Sequence, residues 1–292
     1  MKYLVTGGAG FLGSNLCHEL FRRGHQVLCV DNLMTGWQSN LDGLFGNSHF
    51  SFIKASAEEI YRPEIDGIFH LASCAAPTDI QRYEKFVYFA NKNATQTLFE
   101  NYWSVGSKFL FTSTMKIHGD CDRVDAYIRG KRAGEKICSE NSAKVARLAS
   151  VYGPRMSVTD SRVIPVFITR ALRKLPLSVW NGGAQLDSFC YVDDIVRALI
   201  DFMESDHTGT IELGSPLAIS IMDLARIILE LTKSNSVILT HESIPVINEC
   251  HRVPDLIDAH EFLHWKPVIN LREGLKKTID YFRKELQDEA SS

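Results

Sequence analysis

Two groups of residues in this chain have the types and spacing to do chemistry. The first is glycine-rich. Thr6-Gly7-Gly8-Ala9-Gly10-Phe11-Leu12-Gly13 satisfies G-x-G-x-x-G through Gly8, Gly10 and Gly13, and G-x-x-G-x-x-G through Gly7, Gly10 and Gly13. Glycines at this spacing let the backbone turn tightly and let a pyrophosphate approach a helix N-terminus, whose dipole favours anions. About 20 residues further on, Cys29-Val30-Asp31 places a carboxylate where the ribose hydroxyls of an adenosine would lie. That carboxylate would repel a 2′-phosphate and no arginine follows it immediately, so NAD is expected over NADP. Candidate cofactor contacts are Gly7, Gly10, Phe11, Leu12, Gly13, Asp31 and Asn32.

The second group is Tyr127-Ile128-Arg129-Gly130-Lys131, a Y-x-x-x-K pattern. At i and i+4 the two side chains share one helix face, so an ammonium can sit beside a phenol. A nearby cation stabilises the phenolate and lowers its pKa, which makes tyrosine usable as a base. Thr112-Ser113-Thr114 upstream reads as a strand end, where Thr114 could hydrogen-bond a substrate oxygen. The motif confirms little alone; its place downstream of the glycine fingerprint is what favours catalysis by Thr114, Tyr127 and Lys131 over a solvated helix face.

Elements of an α/β fold must position these groups. Short apolar runs at 3–6, 26–30, 51–54, 67–71, 108–112 and 144–148 alternate with helical stretches at 11–23, 81–103 and 126–141. That alternation predicts a doubly wound parallel sheet of the Rossmann type. From Val151 the rhythm breaks at Pro154, Pro165, Pro176 and Asn181-Gly182-Gly183, which predicts a smaller mixed α/β lobe. The expected division is a dinucleotide-binding domain over 1–152, to which 187–213 returns, and a substrate-binding lobe over 153–186 and 214–286. Helices are expected at 193–204, 221–231 and 271–286, with a frayed tail at 287–292. His70 reads as a strand-end residue lining the cleft. The aromatic residues on the 81–103 helix read as core or subunit contact.

Composition excludes several classes of function. The 292 residues are 45% hydrophobic with a net charge of −3, so neither a nucleic-acid partner nor a membrane surface is expected. No apolar run is long enough to span a bilayer, and a strand beginning at Lys2 predicts no signal peptide. Seven scattered cysteines without a C-x-x-C pair read as reduced thiols in a cytoplasmic protein. The histidines lack metal-ligand spacing, so no metal is expected.

With these motifs the chain resembles the extended short-chain dehydrogenases/reductases, within the NAD-dependent nucleotide-sugar epimerase/dehydratase family. Its pattern is most similar to the UDP-glucuronate decarboxylases. Asp31-Asn32-Leu33-Met34-Thr35-Gly36, Tyr152-Gly153-Pro154-Arg155-Met156, Arg162-Val163-Ile164-Pro165 and Ser188-Phe189-Cys190-Tyr191-Val192-Asp193-Asp194 carry the resemblance, with Gly274-Leu275-Lys276-Lys277-Thr278. It implies that Tyr127 takes the proton of a sugar C4 hydroxyl while hydride passes to NAD. Lys131 would hold the nicotinamide ribose and Thr114 the substrate oxygen. Arg155 and Arg252 would bind the diphosphate, and the protein would be a homodimer through the helices at 81–103 and 126–141.

Departures from the family pattern fall on the sugar side. Lys116 stands where decarboxylases have a glutamate, Asp187 where an arginine is usual, and Ser150 where an asparagine is usual; the third strand ends Lys54-Ala55-Ser56 without its aspartate. The connection from Gly119 to Tyr127 is short, which predicts an open pocket completed by residues 156–161 or by a partner chain. C4 epimerisation or keto reduction is therefore expected ahead of decarboxylation, with 4,6-dehydration third. A non-catalytic NAD-binding relic is the alternative of a different class.

Overall fold

The computed structural model describes residues 1–60, 64–103, 106–118, 125–242 and 253–291. Its central sheet is built from strands buried on both faces. Leu4, Leu28, Ile68, Phe109, Phe111 and Val145 enter one apolar cluster, and the alternate residues Val5, Cys29, Phe69, Leu110 and Ala146 enter the other. Seven parallel strands form it: β1 (Lys2–Thr6), β2 (Gln26–Asp31), β3 (Phe50–Lys54), β4 (Gly67–His70), β5 (Lys108–Thr114), β6 (Lys144–Leu148) and β10 (Gly209–Leu213). Their order is β10-β6-β5-β4-β1-β2-β3. The chain runs outward from β1 to β3, then restarts on the other side of β1 with β4. A crevice therefore opens at the carboxyl ends of β1 and β4, where α/β sheets bind ligands.

The crossover helices are α1 (Phe11–Arg22), α3 (Glu84–Trp103), α4 (Ala126–Glu140) and α6 (Val192–Glu204). A separate short helix, α2 (Pro77–Arg82), precedes α3, so the stretch expected as one helix from 81 breaks at Tyr83. Phe99 and Tyr102 on α3 are buried in the core, whereas Phe86 and Phe89 are exposed.

Outside the central sheet, β7 (Ser150–Tyr152), β9 (Leu186–Tyr191) and β11 (Ala218–Ser220) form one small sheet; β8 (Leu177–Trp180) and β12 (Ile238–His241) form another. Since β9 belongs to the small sheet, the return to the central sheet begins with α6. Around these strands pack α5 (Val163–Leu172), α7 (Ile221–Thr232), α8 (Ile257–Leu263) and α9 (Leu271–Ser291). Pro165 does not break α5, because it occupies the first turn, where a backbone N–H has no helical partner to lose. The stretch 287–291, expected to fray, continues α9.

Asp194, on α6, fastens the segment between α8 and α9. Its Oδ2 accepts from Val268 N and Ile269 N at 2.9 Å each, while Trp265 Nε1 donates to its carbonyl at 3.0 Å. No described helix is long and apolar enough to cross a membrane.

Candidate active site

The glycine stretch forms the turn between β1 and α1. Gly7 takes φ +70°, and its N–H donates to Val30 O on β2 at 2.8 Å. A Cβ at Gly13 would lie 2.1 Å from Gly7 O, and one at Gly7 would lie 2.8 Å from the Ala72 backbone. Only glycine lets loop, helix and β4 end approach this closely. α1 then begins without a side-chain cap, so its first N–H groups face the crevice with the positive end of the helix dipole.

Asp31 ties this loop together. Its Oδ2 accepts from Ala9 N at 3.0 Å and its Oδ1 from Leu33 N at 2.8 Å. Its pKa is raised by burial, which outweighs the lowering by these backbone donors. Each oxygen keeps a second lone pair for a ribose hydroxyl. Asn32 also lines the crevice, its Oδ1 accepting from Met34 N at 3.0 Å. The site therefore has the donors and the shape that a dinucleotide pyrophosphate and ribose require. The crevice, roughly 2030 Å³, is lined by Gly7, Gly10, Phe11, Leu12, Gly13, Asp31 and Asn32 at one end. That exceeds the roughly 300–1,000 Å³ of an ordinary ligand pocket and leaves room for a second ligand beside a dinucleotide.

Thr114, Tyr127 and Lys131 meet in the middle of the crevice. Asp125 caps α4 by accepting from Ile128 N at 2.9 Å. Gly130 and Gly134 then press the helix onto its neighbours, since a Cβ at Gly134 would lie 2.5 Å from the Phe111 ring. The packing sinks Lys131 to 3% exposure, with Nζ donating to Thr112 O at 2.6 Å. The ammonium lies 4.7 Å from the Phe111 ring centre and 5.6 Å from that of Tyr127. Thr114 hydrogen-bonds the Tyr127 hydroxyl.

The electrostatics differ from the expectation of an acidified phenol. Burial pushes Tyr127 up to about 12, and the opposing influences are the Thr114 hydrogen bond and the Arg162 charge. Lys131 is itself pushed down to about 7 by burial, with Glu135 pulling the other way. Desolvation outweighs the i,i+4 attraction that the sequence suggests.

Further residues shape the crevice, among them the 156–161 segment expected to complete the pocket. Arg162 lies over the Phe11 ring at 5.6 Å and pairs with Asp160 at 2.6 Å, bringing a guanidinium into the crevice near Tyr127. Ser161 Oγ meets Thr78 N at 3.3 Å and Thr78 Oγ1 at 3.0 Å, so residues 156–162 reach across the crevice to α2. Asn91 on α3 donates to Ser73 Oγ at 2.9 Å, and its buried Oδ1 has no partner among the described residues.

His70 does not line the crevice. It is buried beneath it, with Nε2 donating to Ala90 O at 3.1 Å and Nδ1 accepting from Thr6 Oγ1 at 2.6 Å. Burial lowers its pKa to about 3, so the ring is a neutral staple between β1 and α3. Arg155, at φ +69°, donates from Nη1 to Asn15 Oδ1 at 2.7 Å and lines the crevice edge. Arg252 and residues 120–124 lie outside the described residues. Two of the family departures touch each other: Ser150 Oγ donates to Asp187 Oδ2 at 2.9 Å, and both residues line the crevice.

Residues 3–214 match the profile of the NAD dependent epimerase/dehydratase family. UDP-glucuronic acid decarboxylase 1 of Xenopus tropicalis is 35% identical over 318 residues, covering 100% of this chain and 74% of that protein. Its Arabidopsis thaliana namesake is 33% identical over 312 residues, covering 99% of this chain and 71% of that protein. Among solved structures, UDP-glucose 4-epimerase of Thermotoga maritima superposes with a TM-score of 0.88 at 28% identity, covering 98% of this chain and 100% of that one. UDP-glucuronic acid 4-epimerase of Bacillus cereus, in complex with UDP-glucuronic acid and NAD, superposes at 0.87 with 25% identity and the same coverage.

Proposed function

Because the chain belongs to the NAD dependent epimerase/dehydratase family of enzymes, we propose that it oxidises C4 of a nucleotide sugar to a 4-ketone and returns the hydride, as a C4 epimerase or keto-reductase. The observation that carries this reading is the meeting of Thr114, Tyr127 and Lys131 at the end of β5, beside a crevice shaped for a dinucleotide. NAD, when bound, supplies the hydride acceptor. Tyr127 accepts the C4 hydroxyl proton, and Thr114 holds the same oxygen through its hydroxyl. The phenol near 12 is mostly protonated at neutral pH, so the Thr114 hydrogen bond and the Arg162 charge carry the burden of stabilising its anion, with the Lys131 ammonium nearby when protonated. Lys131, at about 7, must hold its proton to help. We assign substrate binding to 153–186 and 214–286, with Arg155 and Arg252 toward the diphosphate.

The relatives' names favour a second reading, decarboxylation of UDP-glucuronate. A cation at Lys116 weighs against it. A mass-spectrometric screen of nucleotide sugars, followed by stopped-flow NADH absorbance on any sugar that changes, tests the reading. If no sugar reduces the bound cofactor, the proposal fails.

We also assign the protein to the cytoplasm, on its free cysteines at 17, 29, 74, 138 and 190, and to a homodimer through α3 and α4. Exposed Phe86 and Phe89 supply apolar surface on α3 for that contact. A monomer in light scattering at micromolar concentration would rule the dimer out.

A further inference from the structure

Directly beyond Thr114 the chain makes a 3-10 turn, Met115–His118, that is fastened along its length. Lys116 N donates to Thr114 Oγ1 at 3.3 Å, and Arg132 Nη2 on α4 donates to Ile117 O at 3.1 Å. His118 Nε2 lies 2.6 Å from Glu212 Oε1 on β10. Glu212 stands in register with Arg147 on β6, and Arg147 grips Glu135 through hydrogen bonds of 2.9 and 2.7 Å. Glu135 is one turn beyond Lys131 on α4. One scaffold thus holds both the buried lysine and the turn that carries Lys116.

The Lys116 side chain is exposed and lines the crevice. Most other cations there are already engaged. Lys131 is held by Thr112 O, Arg132 by Ile117 O, Arg155 by Asn15 and Arg162 by Asp160. Among the described residues Lys116 has no salt-bridge partner. Arg82 and Lys85 also line the crevice without a salt-bridge partner, but they stand on α2 and α3 rather than on the turn beside Thr114.

We propose that Lys116 is a substrate-binding residue that pairs with the C6 carboxylate of the sugar, so that the substrate is a nucleoside-diphosphate-linked uronic acid and the carboxylate stays on the product. The proposal rests on the reading above, in which Thr114 and Tyr127 hold the C4 hydroxyl. With C4 held at Thr114, a lysine two residues further on that lines the same crevice has the reach to meet substituents on the carbons next to C4. C3 carries a hydroxyl, and C5 carries C6. Of these, only a C6 carboxylate offers the ammonium a full opposite charge.

Retention of the carboxylate follows from differential binding. Once C4 is a ketone, the carboxylate lies β to it. Loss of carbon dioxide would break the C5–C6 bond and move its electron pair onto C5 and the ketone oxygen. The carboxylate charge that Lys116 stabilises disappears along that path. An interaction stronger in the ground state than in the transition state raises the barrier. Hydride return to the ketone leaves the ion pair intact and is not opposed.

The test uses the full chain loaded with NAD, the variants Lys116→Met and Lys116→Arg, and two probes, UDP-glucuronic acid and UDP-glucose. Calorimetric binding of each probe is measured beside NADH absorbance, released carbon dioxide and the C4 configuration of the product. Wild type is expected to bind the uronate at least about tenfold tighter than the neutral sugar, the worth of one charged hydrogen bond. Lys116→Met should bring the ratio near one, and Lys116→Arg should keep most of it. An unchanged ratio in Lys116→Met, confirmed folded by thermal melting, overturns the proposal, as does carbon dioxide release by wild type during turnover. If the ratio behaves as expected but NADH never forms with either sugar, the catalytic reading falls and the binding role of Lys116 stands. If wild type binds neither sugar, both are overturned.

Discussion

The two ends of the crevice are built in different ways. The cofactor end comes from one short stretch: Gly7 to Gly13, closed by Asp31 and packed against β2 and the end of β4, with the first N–H groups of α1 left open to the crevice. The other end is gathered from far apart in the chain, from Thr114 and Lys116, Ser150, residues 155–162 and Asp187. Its contacts span separations such as Thr78 with Ser161 and Arg155 with Asn15. A site made from one stretch keeps its sequence signature, because each residue depends on its neighbours. A site made from many stretches can exchange one residue at a time, because its contacts, such as that of Ser150 with Asp187, join segments far apart in the chain.

The sharpest way to break this contrast lies at the junction of the two ends. Tyr127→Phe removes the proton acceptor and keeps the ring, so turnover should fall about a hundred- to ten-thousand-fold while NAD binding survives. Stopped-flow NADH formation at the wild-type rate would refute Tyr127 as the base. Next in size is Gly13→Ala. Its methyl would strike Gly7 O at 2.1 Å, so calorimetry should find NAD affinity lowered about a hundredfold or more. A variant that binds NAD normally would show that the close approach is dispensable.

Asp31→Asn, by contrast, removes the charge and keeps one of the two acceptor oxygens that hold Ala9 N and Leu33 N. The NAD-to-NADP affinity ratio should shrink about tenfold or more, since the carboxylate no longer repels a 2′-phosphate. An unmoved ratio would place discrimination elsewhere.

Beneath the cofactor end, His70 allows a test by pH. Its folded pKa, about 3, lies below the ordinary value of 6.5. As pH falls through that interval the unfolded chain takes up a proton that the folded chain refuses, so stability is lost. The slope should approach about 1.4 kcal/mol per pH unit from this group, and His70→Gln should remove that component from denaturant melts. At the other end the smallest effect is expected. Ser150→Ala deletes one hydrogen bond to Asp187 and should cost about 1 kcal/mol in the same melts. A much larger loss would mean that the substrate end is as tightly interlocked as the cofactor end.

The sequence by itself determined the parallel sheet, the glycine turn with Asp31, and the candidacy of Thr114, Tyr127 and Lys131. All of these rest on short-range rules: apolar runs of strand length, φ values open only to glycine, and the i,i+4 spacing of a helix face. It also exposed Lys116, Ser150 and Asp187 as departures. Tertiary structure alone decided what those residues meet. It sank Lys131 between Phe111 and Thr112, so desolvation rather than the neighbouring phenol governs its proton. It turned His70 away from the crevice into a buried staple, joined Ser150 to Asp187 across two strands, and brought Arg162 over Phe11 from a helix that Pro165 concealed. The physical reason is range. Backbone geometry is fixed by adjacent residues, whereas burial, dielectric and side-chain partners depend on segments that only the folded chain brings together.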